Sequence, residues 1–114
     1  MRRVTVGPSR IHGRGIFAGE AIGRGRRVGA YLGVRARRNG PYVLWVREGE
    51  GALVGISGQN DLRFVNHAAR PNARFVDADL FALRRIRLGE EITVDYGPDP
   101  PGAATVRSRR PRRT

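Results

Sequence analysis

Three short segments hold the side chains whose types and spacing could do chemistry. The first is His12-Gly13-Arg14-Gly15, an imidazole and a guanidinium set among glycines. Glycine there permits unusual dihedrals and close approach of backbone to a ligand. The second is Asn66-His67, directly after the apolar pair Phe64-Val65, with Arg70-Pro71-Asn72 beyond it. The third is GEEITVDYG (89–97), which carries Glu90, Glu91, Asp95 and Tyr96. Neighbouring carboxylates suggest general acid–base work. On a strand, however, Glu90 and Glu91 point to opposite faces, so a hydrolase built on that pair is discounted. Each segment alone also has a plain structural reading. The glycines make a turn, the Asn-His pair satisfies its own hydrogen bonds, and the tyrosine packs with its hydroxyl on a partner. A dinucleotide-binding loop is excluded at 13–19, because Gly19 and the β-type sequence after it break the required strand–loop–helix order.

Composition removes other chemistries. The chain has no cysteine, hence no disulfide, no thiolate nucleophile and no thiolate zinc site. Its two histidines, His12 and His67, supply only part of a metal shell, so no metal is expected. All 22 basic residues are arginine, against 10 acids, for a net charge of +12. Codon bias accounts for the absence of lysine but not for the excess charge, which fits a phosphate-binding surface. Part of the excess is local: residues 107–114 hold five arginines and no acid. No run is long and apolar enough to span a membrane, and the N-terminus lacks a signal-like apolar block. A cytoplasmic protein is expected, with association to the nucleoid as a variant of that reading.

These residues must be held by short strands. Residues 4–6, 15–18, 28–34, 42–46, 52–56, 73–76, 80–83 and 91–96 are β-branched or aromatic, with turn residues between them. Residues 48–51 and 77–79 read as hairpin turns. The best helix candidate is 61–68, with Asn60 as its N-cap. Ile22-x-x-Gly25-x-x-Val28 and Ile86-x-x-Gly89-x-x-Ile92 share a spacing, which reads as two similar entries into strands. Residues 1–97 form one folded domain. Residues 98–114 read as a proline- and arginine-rich tail, too poor in apolar residues to offset the entropy of ordering.

In order along the chain, SRIHGRGIFA (9–18), VGAYLG (28–33), NDLRFVNHAARPN (60–72) and GEEITVDYG (89–97) resemble the SET domain, the fold of the protein lysine methyltransferases. The resemblance implies a mainly β fold of several small sheets, few short helices, and a pseudoknot-like threading of the C-terminal segment. That threading sets 66–72 beside 89–97. It also implies S-adenosylmethionine as cofactor, bound along His12, Gly13, Arg14 and Gly15 and by Asn66, His67 and Tyr96. Tyr96 corresponds to the catalytic tyrosine. Tyr31, Phe75 and Val94 correspond to positions lining the lysine channel, with Tyr31 also in the catalytic set, and Asn72 to a structural hydrogen-bonder. The implied chemistry is a direct displacement at a methyl group, which needs no metal and no covalent enzyme intermediate. Alignment of amine, methyl and sulfur should dominate it.

The sequence departs from the family's pattern in several places. Ala68-Ala69 replaces the usual Ser-Cys, Arg26 stands where an acid is usual, and no cysteine-rich segment flanks the domain. The insert between Tyr31 and Asn60 is short. The channel is therefore expected to be completed by a second copy, which predicts a homodimer, or by the tail ordering on binding. The charge disfavours a free, strongly basic substrate tail. An acidic protein fits better, as does a basic one already on nucleic acid, which Arg107, Arg109, Arg110, Arg112 and Arg113 could contact. The alternative is a catalytically weak SET-like binding module, tied to nucleic acid or a protein partner through its arginine-rich surface and tail.

Overall fold

A computed structural model describes residues 3–48, 51–95 and 107–108. Val4–Pro8 (β1) pairs antiparallel with Arg14–Ala18 (β2). After a turn the chain enters Arg27–Ala30 (β3), then Gly33–Ala36 (β4). Val43–Glu48 (β5) and Ala52–Gly58 (β6) form a hairpin closed at 48–52, as the turn residues there predict. A short 3-10 helix, Asp61–Phe64, leads into Asn66–His67 (β7). Ala73–Val76 (β8) and Asp79–Ala82 (β9) form the second expected hairpin, with Asp77 at φ 55 in its turn. Glu91–Val94 (β10) follows. Within the segment read as a tail, Arg107–Ser108 (β11) pairs with Trp45 and Leu44. The rest of that segment lies outside the described residues.

The strands make three small sheets, ordered β1-β2-β10-β7, β11-β5-β6-β4 and β3-β9-β8. β10 is the strand that organises the first. It runs antiparallel to β2 and parallel to β7, so Ile92, Thr93 and Val94 are all buried. The fully buried side chains Ile16, Ile22, Leu44, Leu80, Ile86 and Ile92 draw on all three sheets and their connections. The sheets thus share one core, as a chain this short requires.

Two expectations change. The run 28–34 is not one strand. It breaks at Tyr31-Leu32, because β3 pairs with β9 while β4 pairs with β6 in another sheet. The Asn60 side chain holds that corner by donating to the Ala30 carbonyl (2.8 Å) and accepting from the Leu32 amide (3.2 Å). It makes no side-chain cap on the helix it precedes. The helix itself stops at Phe64 rather than reaching Ala68, because Asn66 and His67 pair with Thr93 and Val94. Tertiary pairing overrides weak local propensity here.

The shared spacing of the two Ile-x-x-Gly segments has a structural counterpart. Ile22 and Ile86 form an antiparallel bridge, each amide bonded to the other's carbonyl (2.9 and 2.8 Å). Gly25 (φ 81) and Gly89 (φ 87) then take the left-handed conformation before β3 and β10 begin. They are two similar entries into strands, set side by side.

Candidate functional site

The site is assembled around Asn66. This residue is fully buried. Its Nδ2 lies 3.1 Å from Ser9 Oγ, 3.1 Å from the His12 carbonyl, 3.0 Å from the Arg14 carbonyl and 3.1 Å from Glu91 Oε2. All four neighbours accept, so the amide must face them with its nitrogen, and its two protons are shared in three-centre bonds. Ser9 completes the cluster. Its hydroxyl donates to the Glu91 carboxylate (2.9 and 3.0 Å) and accepts from the amides of Ile11 (2.8 Å) and His12 (3.3 Å). Asn66 is held in turn by the β7–β10 pairing, so one strand position fixes the shape of the loop from Ser9 to Arg14.

The glycines of that loop differ in their reasons. Gly13 has φ +44, and a Cβ there would meet nothing within 4 Å, so the requirement is conformational and the loop faces open space. Gly15 is a steric requirement. A Cβ there would overlap Glu91 Oε2 and sit 3.1 Å from Ser9 Cβ. The close approach expected at Gly15 is therefore made by the protein's own carboxylate. Arg14 projects its guanidinium 5.7 Å from the centroid of the Phe64 ring, and Arg63 lies 4.2 Å from the same ring. Two cations thus lie against one aromatic ring beside the loop.

The remaining expected residues fall into two groups. His67 is half-exposed, with Nδ1 3.7 Å from Asp95 Oδ1. Tyr96, the next residue, lies outside the described residues. Tyr31 is buried and donates its hydroxyl to the Tyr42 carbonyl (2.6 Å). Its ring meets Phe75 edge to face at 5.7 Å, and Tyr42 meets Phe64 the same way at 5.7 Å. Val94 belongs to the same buried cluster as Tyr31, with Phe75 packed against it. Of the three expected channel positions, Tyr31 and Phe75 are in direct contact, and Val94 is buried in the same core. Arg107 is placed by its backbone pairing with Trp45, and Arg109, Arg110, Arg112 and Arg113 lie outside the described residues.

Glu90 and Glu91 do diverge. Glu90 faces Arg84 (2.7 Å), whose guanidinium holds the Glu90 carboxyl below its ordinary range; burial opposes this, and the Arg87 amide (2.9 Å) adds to it. Glu91 turns to Ser9 and Asn66. Among the described residues there is no cluster of His, Asp and Glu that could hold a metal ion. No described helix is long and apolar enough to cross a membrane.

Sequence reasoning missed Ser9 and Glu91 as partners of Asn66. The available signal was the discounted Glu90-Glu91 pair, whose divergence sends one carboxylate inward beneath a glycine. It assigned Asn72 correctly. This buried residue donates Nδ2 to the Glu91 carbonyl (2.8 Å) and accepts from the Thr93 amide (2.8 Å), standing in for a strand beside β10.

A family model described as "SET domain" matches residues 13–97. With small sheets packed on one core and β10 pinned between β2 and β7, the chain belongs to the SET-domain family. It is 31% identical over 99% of its length to the histone-lysine N-methyltransferase MEDEA of Arabidopsis thaliana. It is 32% identical over 83% of its length to an H3 lysine-4 specific histone-lysine N-methyltransferase of Schizosaccharomyces pombe. The chain spans only 19% and 13% of those two relatives. Among solved structures, the methyltransferase domain of human PR domain-containing protein 2 superposes with TM-score 0.67 and 25% identity, covering 89% of this chain and 82% of that one. A Polycomb Repressive Complex 2 structure bound to S-adenosylmethionine gives TM-score 0.67 and 25% identity over 84% of this chain and 15% of that one.

Proposed function

We propose that this protein transfers methyl groups from S-adenosylmethionine to the side-chain amine of a lysine in a protein substrate. The observation that carries the reading is the buried Asn66 amide gripping the His12–Arg14 backbone beside the strand that leads to Tyr96. The chemistry of the donor set fits the cofactor. Each carbonyl that Asn66 contacts has a second lone pair for an ammonium group. Arg14 and Arg63 offer cations for a carboxylate, and the loop around Gly13 leaves room for a ligand. In this reading His12, Gly13, Arg14, Gly15, Asn66 and His67 hold the cofactor, which supplies an electrophilic methyl on a sulfonium.

The chain's own residues then handle the acceptor. A lysine amine must be neutral to attack, and an apolar channel lined by Tyr31, Phe75 and Val94 disfavours its charged form. Tyr96 orients the amine. The aromatic faces of Tyr31 and Tyr96 favour a nearby cation. The relatives are named for histone lysines. A histone-like tail free in solution is repelled by a +12 chain, whereas one already neutralised by nucleic acid is not. A homodimer in which a second copy closes the channel is part of the same proposal. A binding module without turnover is not favoured, because the relatives are named as methyltransferases.

The test is a titration with S-adenosylmethionine, followed by transfer of labelled methyl to a lysate, on the wild type and Tyr96→Phe. The wild type binds and transfers. The variant binds with similar affinity and transfers at least tenfold more slowly, in keeping with a positioning role. Absence of cofactor binding ends the proposal, and an unchanged rate removes Tyr96 from it.

A further inference from the structure

At the other end of β2 and β10 the molecule carries a second arrangement of charge, unrelated to the cofactor loop. The chain at 22–27 runs antiparallel beside 82–86. It is joined there by the Ile22–Ile86 bridge, by the Gly25 amide on the Ala82 carbonyl (2.8 Å) and by the Ala82 amide on the Arg26 carbonyl (2.9 Å). This ribbon continues into the β3-β9-β8 sheet. Residues 22–27 and 73–90 together contain seven arginines and three carboxylates. Two of the three carboxylates are already used: Asp79 accepts from Arg27 (2.9 and 3.0 Å) and Glu90 from Arg84 (2.7 Å). Arg24, Arg26, Arg74, Arg85 and Arg87 are exposed, and none forms an ion pair among the described residues.

The register shows how these cations are laid out. Arg27 and Arg74 both stand opposite Phe81, one on each neighbouring strand, so the three share the outer face of the sheet. The opposite face holds Leu80, Ala82 and Ala73, all buried. From that row the arginines continue along the ribbon, through the turn at Arg24 and the bend at 83–84, to the Arg87–Glu90 turn. They do not converge on one point, as they would around a single small anion.

We infer that this outer face, with its two flanking turns, docks the phosphate backbone of a nucleic acid duplex. An extended polyanion matches cations spread over a sheet face and two turns, and a duplex carries a phosphate about every 1.7 Å along its axis. Guanidinium forks suit phosphate oxygens better than point charges do. The surface also lies away from the cofactor loop, while Phe75 meets Tyr31 from a neighbouring position on the same sheet. β2 separates the Ala18–Gly89 end, where the Gly89 amide bonds the Ala18 carbonyl (2.8 Å), from the Arg14 end. A duplex seated there leaves the His12–Arg14 loop uncovered. The inference does not depend on methyl transfer and does not use the arginines at 107–113.

The test uses the full chain and a fluorescent duplex of about twenty base pairs, titrated across a range of salt. Two variants are compared with wild type. One is Arg24→Gln/Arg26→Gln/Arg85→Gln/Arg87→Gln, and the other carries glutamine at 107, 109, 110, 112 and 113. The first variant should weaken binding at least tenfold at low salt. It should also lower the slope of log affinity against log salt by about 0.9 for each phosphate it no longer neutralises. Wild-type affinity in that variant, or weakening only in the second, overturns the proposal. Protection from phenylglyoxal in the wild-type complex gives a reading that needs no variant. Duplex should shield Arg24, Arg26, Arg85 and Arg87, and shielding confined to 107–113 overturns the proposal. Leu83 and Leu88, 41% and 69% exposed, border the face. Stronger capture by phosphatidylserine vesicles than by duplex would therefore assign it to a membrane surface and likewise overturn the inference.

Discussion

Asn66 and Asn72 are both buried and both bonded to the same strand, yet they are spent in different ways. Asn66 enters β10's sheet through its backbone and turns its amide outward, onto the loop from Ser9 to Arg14. Asn72 does the reverse. Its side chain replaces a strand beside β10, bonding the Glu91 carbonyl and the Thr93 amide. One asparagine transmits the order of the sheet to a surface loop, and the other is absorbed in maintaining the sheet. The lesson is that burial of a polar group says little about its task. What separates the two is whether the acceptors belong to a regular strand or to a loop facing open space.

That division can be broken by substitution. Asn66→Ala should have the largest effect on transfer. It leaves two loop carbonyls without their donor and the Glu91 carboxylate with Ser9 alone, at a stability cost of about 1–3 kcal/mol. It should also slow transfer roughly a hundredfold, because the loop is no longer held. Isothermal titration with the cofactor and a single-turnover assay separate those two effects. Asn72→Ala orphans one buried amide and one buried carbonyl, costing about 2–4 kcal/mol by the same reasoning. Thermal denaturation should show a drop of roughly 10 °C or more, while cofactor affinity measured well below the midpoint stays within about threefold of wild type. If Asn72→Ala abolished cofactor binding in a folded chain, the contrast between the two residues would be wrong.

The smallest effect sharpens the contrast from the other side of β10. Glu90 is not part of the Asn66 cluster, and its carboxyl is held below its ordinary value of 4.5 chiefly by Arg84. A lowered folded value means that the unfolded chain takes up the proton first as acid is added. The stabilisation is therefore fully present above the ordinary value and is lost as pH falls through the folded one. Because the pair is partly exposed, Glu90→Gln should cost under about 1 kcal/mol near neutrality. The difference in melting temperature from wild type should shrink as pH falls below 4.5 and vanish once the carboxyl is protonated in both states. Cofactor affinity should not change.

Much of the fold was readable because it depends on local pattern. β1, β2, the β5–β6 and β8–β9 hairpins and the two glycine turns at 25 and 89 fall where β-branched runs and turn residues put them. The failures share a cause. The break at Tyr31 and the early end of the 61–64 helix arise because neighbouring segments bond to distant strands, β6 and β10, whose positions no local window encodes. The setting of 66–72 beside β10 was legible through the family resemblance of those segments. The Glu91–Ser9 pair beneath Gly15 was not, since it joins residues 82 apart in sequence.

By itself, the sequence determined the chemistry available. It excluded thiolate and disulfide chemistry, fixed an all-arginine excess of charge, and supplied the glycines and asparagines from which a loop site can be made. Only the tertiary structure decided how they are used. Composition and spacing are one-dimensional, whereas a buried amide takes its role from whichever acceptors the packed sheets bring within about 3 Å. For Asn66 those acceptors lie in a loop more than fifty residues upstream. For the arginines of the far face, the same packing decides which are neutralised by Asp79 and Glu90 and which are left for a partner.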